Sequence, residues 1–248
     1  MLIEFSGPSA SGKTEFVRHL LKTWPETRSV RRSVSAIASP TGPKFRAALS
    51  HAHEPARVFW NAYKWHQHGL GLSNKPIRTS LRMAAEYSLL SGLSKDSRLW
   101  LLDQGRMQLA SWLPQQVCDD PSSCAESLKK FVRIGDGLVL ISMPPEVAIE
   151  RIKARGDIRK MEDFYSARGF SSPAQYLKNL REQESRKIDL LKRFNCVILQ
   201  NIIGDDGEID KQILYGRSGE GRSGELVQRM HSLGEMFGAW WRRGFSQV

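Results

Sequence analysis

A three-layer α/β fold, a parallel sheet with helices on both faces and a C-terminal helical tail, is what the hydrophobic pattern of this chain predicts. Three observations carry the prediction. "LIEF", "LWLL" and "GLVLIS" are short, continuous apolar runs, as expected of strands buried on both faces. Longer segments between them repeat their apolar residues at helical spacing. The first run also leads directly into "GPSASGKT", Gly7 to Thr14, which fits G-x-x-x-x-G-K-[ST].

That loop sets the chemistry. Its backbone N–H groups can turn inward around di- and triphosphate oxygens, so Gly7, Pro8, Ser9, Ala10, Ser11, Gly12, Lys13 and Thr14 are the expected nucleotide-binding residues. Gly7 and Gly12 let the backbone turn sharply and approach the ligand without a Cβ. Lys13 would place a point charge on the β and γ phosphates, Thr14 would offer its hydroxyl to Mg²⁺, and the positive end of the following helix favours the anion. Average residue usage gives on the order of 0.01 accidental matches in a chain of this length, which argues against a chance glycine turn. Phe16, Val17, Leu20, Leu21 and Trp24 then fall on one helical face.

The segment "SVRRSVSAIA", Ser29 to Ala38, reads as the second strand and runs into the loop "SPTGP". A helix could restart at Lys44. A further helix is expected from Pro55, with Val58, Phe59, Ala62, Tyr63 and Trp65 forming a wide apolar face. The next starts near Pro76 and turns Ile77, Leu81, Ala84, Ala85 and Leu89 inward. "LWLLDQG" places Asp103 at the carboxyl end of a buried strand, where such sheets bind ligands. Asp103 could hold Mg²⁺ through water opposite Thr14 or accept a proton from an attacking hydroxyl. "DGLVLISMPPEVAIERIKARG" gives another buried strand, a proline turn and a helix from about Glu146. Arg151 and Arg155 share a face of it, with Arg159 beyond Gly156. Together they could neutralise a transferring phosphoryl, although a solvated basic face has the same spacing. A long helix, Pro173 to Phe194, leads to the last core strand, "CVILQNI".

Composition narrows the class. The chain has 248 residues, 40% of them apolar, and a net charge of +11. That length suits one α/β domain with insertions or a tail, and no run is long and apolar enough to cross a bilayer. The surplus charge would attract polyanions, yet no nucleic-acid module is recognisable and a phosphate site needs basic residues in any case. With no charged leader or cleavage site before the first strand, a cytoplasmic location is expected. Cys118, Cys124 and Cys196 cannot all pair with one another and lack zinc-ligand spacing, so free thiols are expected. The two H-x-H pairs, His51/His53 and His66/His68, point apart on helices and read as no metal site. "FWNAYKWHQHG" could stack a base or sugar, but aromatic residues at this spacing usually form core.

These residues together resemble the P-loop nucleoside and nucleotide kinases, thymidylate kinase most of all, over roughly residues 1–214. "GLVLISMPPEVAIERIKARG" is similar to that family's strand, Pro-Pro-Glu helix and arginine-bearing lid, with Glu162 where the lid pattern ends. "SPTGPKFRAAL" and "MAAEYSLL" are similar in layout to two acceptor-side segments. The resemblance implies a P-loop NTPase fold, ATP as phosphoryl donor, Mg²⁺ and a mobile lid over about residues 151–172. It also places adenine at the loop near Asn201 to Asp206, and an acceptor pocket between the second-strand loop and the Pro76 helix. The departures lie in that pocket. Ala38 and Ser39 replace Arg-Glu, Glu86 and Tyr87 replace Asp-Arg, Asp103-Gln104-Gly105 replaces D-R-Y, and Arg159-Lys160 replaces the lid's Asp-Arg. Ser39, Arg78, Arg82, Glu86 and Arg106 are therefore the candidate acceptor-binding residues, with Arg46 a further possible replacement.

"GRSGEGRSGE" marks residues 215–225 as a linker, and residues 226–248 follow as an amphipathic helix with Leu226, Met230, Leu233, Phe237 and Trp240 on one face. That helix could pack on its own domain, or dock on a partner, a second copy or an anionic surface. The expected activity is ATP- and Mg²⁺-dependent phosphoryl transfer to a small acceptor, nucleoside or nucleoside monophosphate first. A kinase for a sugar, an antibiotic or a polynucleotide end, and a nucleotide-dependent binding protein, are the alternatives.

Overall fold

The computed structural model describes residues 1–8, 10–30, 53–67, 76–93, 97–103, 121–157, 159, 162, 165–166, 169–182, 184–194, 196–204, 206, 208–215 and 223–244. In chain order the elements are β1 (Leu2–Ser6), α1 (Lys13–Thr23), β2 (Thr27–Ser29), α2 (His53–Gln67), α3 (Pro76–Leu93), β3 (Leu99–Leu102) and α4 (Pro121–Lys129). They continue with β4 (Gly137–Ser142), α5 (Pro145–Ala154), α6 (Pro173–Glu182), α7 (Glu184–Leu191), β5 (Val197–Ile203), β6 (Ile209–Tyr215) and α8 (Ser223–Gly244).

The strands form one sheet of six in the order β2-β3-β1-β4-β5-β6. β1 lies in the interior because every one of its residues is buried, and it pairs in parallel with β3 (Ile3 opposite Leu101) and β4 (Phe5 opposite Val139). From β1 the chain builds first toward β2 and β3 and later toward β4 and β5. The chain leaves β1 toward β2 on one side and leaves β3 toward β4 on the other, so the crevice at the carboxyl ends of the neighbouring β1 and β3 is the topological switch point of the sheet.

Alternation along the strands supplies two cores. Ile3, Phe5, Leu99, Leu101, Val139, Ile141 and Leu199 face one way and meet α1, α5, α6 and α8. Leu138, Leu140 and Ile198 face the other way and meet α2, α3, α4 and α7. Helices therefore cover both faces, as the apolar runs predict.

β6 is an element the sequence reading does not anticipate. It pairs antiparallel with β5, and its Ile209 and Ile213 pack toward the α8 side while Asp210 and Gln212 are exposed. Two-residue alternation is its only signal, and as a partly polar edge strand it lacks the saturated apolar run that marks β1 and β4. After this reversal, α8 lies back on the domain. Met230, Leu233, Phe237 and Trp241 are nearly or fully buried, and Gly137 approaches Met230 so closely that an added Cβ would stand 2.8 Å from its sulfur. Removing side chains of this size from water stabilises the fold by roughly 1.5–3 kcal/mol each.

Three further expectations need correction. The second strand starts at Thr27 rather than Ser29, and residues 31–38 lie outside the described residues, as do the "SPTGP" loop and the Lys44 helix. Ile77 is 57% exposed instead of inward, because it occupies the first turn of α3, ahead of the stretch where Ser80, Met83, Ala84 and Ala85 meet the core. The helix expected over Pro173 to Phe194 is helical in its described residues, 173–182 and 184–191, and ends at Leu191 rather than Phe194.

Candidate phosphate-binding site

β1 delivers the chain to the switch point at Ser6, and the loop to α1 begins there. Gly7 adopts φ 151°, and a Cβ at that position would lie 2.5 Å from the Ile141 carbonyl oxygen on β4, so only glycine lets the loop pass this close to the neighbouring strand. Ala10 and Gly12 are both left-handed, at φ 64° and 78°. Alternation into the left-handed region turns successive N–H groups to one side, the geometry of an anion nest. For Ala10 that conformation costs about 1–2 kcal/mol, a local strain with no glycine to reveal it in the sequence.

The start of α1 continues the same surface. Gly12 is its N-cap and supplies no side-chain acceptor. The first helical bond runs from Phe16 N–H to the Gly12 carbonyl at 2.9 Å, so the helix opens toward the loop with its N-terminal end. Lys13 is buried, and its ammonium donates to the Gly7 carbonyl at 2.9 Å, the Pro8 carbonyl at 2.7 Å and Ser11 Oγ at 2.9 Å. A cation is thereby held across the mouth of the loop. Thr14 is half-buried in the first turn, and Ser9 lies outside the described residues.

Asp103 follows β3 directly and is 4% exposed. Register places it beside the end of β1, since Glu4 is opposite Leu102. The two-residue period that turns Leu99 and Leu101 to the α1 side carries to Asp103 as well. A carboxylate and a hydroxyl, Asp103 and Thr14, thus belong to neighbouring strand and helix ends on one side of the sheet. They are oxygen donors of the kind Mg²⁺ takes.

The three candidate arginines are not one solvated face. Arg151 is 5% exposed, with its guanidinium carbon 4.5 Å from the ring centroid of Trp241. Burial first, then the nearby Arg155, lower its pKa to about 10, and Glu15 acts in the opposite direction. It stays protonated at neutral pH. Arg155 caps the end of α5, and its Nη2 is 3.6 Å from Glu15 Oε2, one residue beyond Thr14. Arg155 is therefore tied to the first turn of α1, and the same Glu15 charge acts on Arg151. Arg159 is exposed, as is Glu162, with most of their neighbours in the chain outside the described residues.

Asn201 corrects the reading of the β5 end. It lies inside β5, opposite Ile141 and Lys211, and is fully buried, so the loop that follows starts only at Gly204. Of the candidate acceptor residues, Arg82 Nε donates to Glu86 Oε1 at 2.7 Å, with Glu86 buried and Arg82 about half exposed. Arg78 is exposed on the same helix, while Ser39 and Arg106 lie outside the described residues. Sequence reasoning misses the contribution of α8. Trp241 covers Arg151, and Trp240 lies beside Phe16 with centroids 5.3 Å apart.

No protein-family profile matches the chain, and no curated protein matches it. Among solved structures, it is similar to a chain from the characterisation of the PezAT chromosomal toxin-antitoxin system of Streptococcus pneumoniae. That chain is 17% identical, the alignment covers 95% of this chain and 84% of that one, and the TM-score is 0.38. At this TM-score the likeness carries no weight, and the functional reading rests on the residues.

Proposed function

We propose that this protein transfers the γ-phosphoryl group of Mg²⁺·ATP to a small acceptor, a nucleoside or nucleoside monophosphate first. One observation carries the reading: an uncapped helix start and a left-handed loop, with a buried lysine bonded across it, stand at the switch point of a parallel sheet. The residues fit a nucleotide polyphosphate, because the glycine at Gly7 keeps the loop against β4, Ala10 and Gly12 are left-handed, and α1 presents its positive end to the loop.

In this reading the loop amides and Lys13 orient the polyphosphate, and Thr14 and Asp103 hold the metal, directly or through water. Mg²⁺, when bound, would neutralise charge on the phosphates. Asp103 also stands where it could take the proton of an attacking hydroxyl. Arg155, with Arg151 behind it, steadies the charge that develops on the transferred group, where a partly desolvated cation is screened less than one in water. The pairing of Arg82 with Glu86 favours a second possibility for the acceptor. A carboxylate already occupies that guanidinium, which suits a substrate offering a hydroxyl better than one offering a phosphate.

Calorimetry with Mg²⁺·ATP and a panel of acceptors with labelled ATP test the proposal. Lys13→Ala is expected to weaken ATP binding by on the order of a hundredfold while leaving the fold intact by circular dichroism. Wild-type affinity in that variant would remove the basis of the reading. Label appearing only on sugars or other non-nucleotides would move the acceptor to the second class.

A further inference from the structure

We infer that Trp241 is a positioning residue for Arg151, so that the C-terminal helix is a working part of the phosphate site; this rests on the phosphoryl-transfer reading above. The last turns of α8 grip two elements at once. Phe237 and Trp240 hold Phe16 of α1, with ring centroids at 5.0 and 5.3 Å. Trp241, 1% exposed, lies against the Arg151 guanidinium on α5. Phe16 is two residues beyond Thr14, and Arg151 feels the charge of Glu15 between them. The helix end therefore fixes the spacing between the helix that starts the phosphate loop and the helix that carries the arginines.

The chemistry of the pair suits that task. A guanidinium is planar and weakly hydrated, so it stacks on an indole face without the desolvation cost of an ammonium. Buried beside α1, its charge acts on the loop through a medium that screens it poorly. Holding it by a ring face fixes its plane as well as its position, which a merely apolar neighbour of equal size would not do. Arg155, one turn on and reaching Glu15, shares the same backbone and moves with it.

The test uses the full chain, with ATP turnover on whichever acceptor the panel identifies, ATP affinity by calorimetry and thermal midpoints. Trp241→Leu removes the ring and is expected to lower kcat on the order of tenfold, with ATP affinity within about twofold of wild type. Trp241→Phe, which keeps a ring face, should recover most of that loss. Combining Trp241→Leu with Arg151→Ala should be no slower than Arg151→Ala alone, since both act through one guanidinium. Wild-type kcat in Trp241→Leu, or losses that multiply in the double variant, would overturn the inference. Should Trp241→Leu not fold, Arg151→Lys decides. It keeps the charge and loses the planar face, so a kcat as low as that of Arg151→Ala supports the inference and a wild-type kcat overturns it. Failure of the underlying reading looks different: wild-type protein that binds no ATP removes both, whereas ATP turnover untouched by Trp241→Leu removes only this one.

Discussion

The two faces of the sheet are built differently. On the α1 side, Phe16 is enclosed by Phe5, Phe237 and Trp240, and α8 seals the strands beneath it. On the α2 and α3 side, Val58, Ala62, Met83 and Ala84 anchor the helices to the sheet, but Trp60 and Ile77 are each 57% exposed. The side that carries the Gly7–Thr14 loop is locked by interdigitated rings, and the other side leaves two large apolar side chains exposed among the described residues. Fixed geometry is what the proposed function would ask of the first side.

Substitutions on the two faces should differ accordingly. Phe237→Ala is expected to cost about 3–5 kcal/mol in urea unfolding, through the cavity it leaves against Phe16 and Trp241. A loss below about 1 kcal/mol would show that α8 contributes little to this core. Gly7→Ala should cost roughly 1–3 kcal/mol, because the new Cβ meets the Ile141 carbonyl and the backbone is strained.

Across the sheet, Cys196 is buried, and burial first, then the Glu4 carboxylate, push its thiol up to about 12. A folded pKa raised above the ordinary 9.0 means stability from this group is complete below pH 9 and is lost as pH rises toward 12. Cys196→Ala should flatten the alkaline limb of a stability profile over that window; an unchanged slope would show that other groups govern it. The smallest effects belong to Ile77→Ala and Trp60→Ala, each expected within about 0.5 kcal/mol of wild type. A loss comparable to that of Phe237→Ala would abolish the contrast between the faces.

The parts legible in the sequence are those where backbone geometry dictates residue type. The loop demands glycine at Gly7 and Gly12, a parallel strand buried on both faces demands unbroken apolar residues, and Asp103 stands out because a charge ends such a run. β1, α1, β3, β4 and α5 are all found where those signals place them. Arg151 was not legible as a buried group, since nothing local distinguishes it from a solvated arginine; a helix ninety residues later covers it. Asn201 misleads for another reason: the family resemblance, and not the strand pattern, puts the adenine loop there, whereas β5 runs on to Ile203. β6 was missed because half of an edge strand faces water and dilutes its pattern.

The enclosure of Phe16 by α8 has a bearing on how the protein is made. During synthesis α1 emerges well before the 22 residues of α8 that pack on it. Until then Phe16 has Phe5 against it but lacks the rings of Phe237 and Trp240. The loop ahead of α1 would thus gain its full support only from a segment translated well after it.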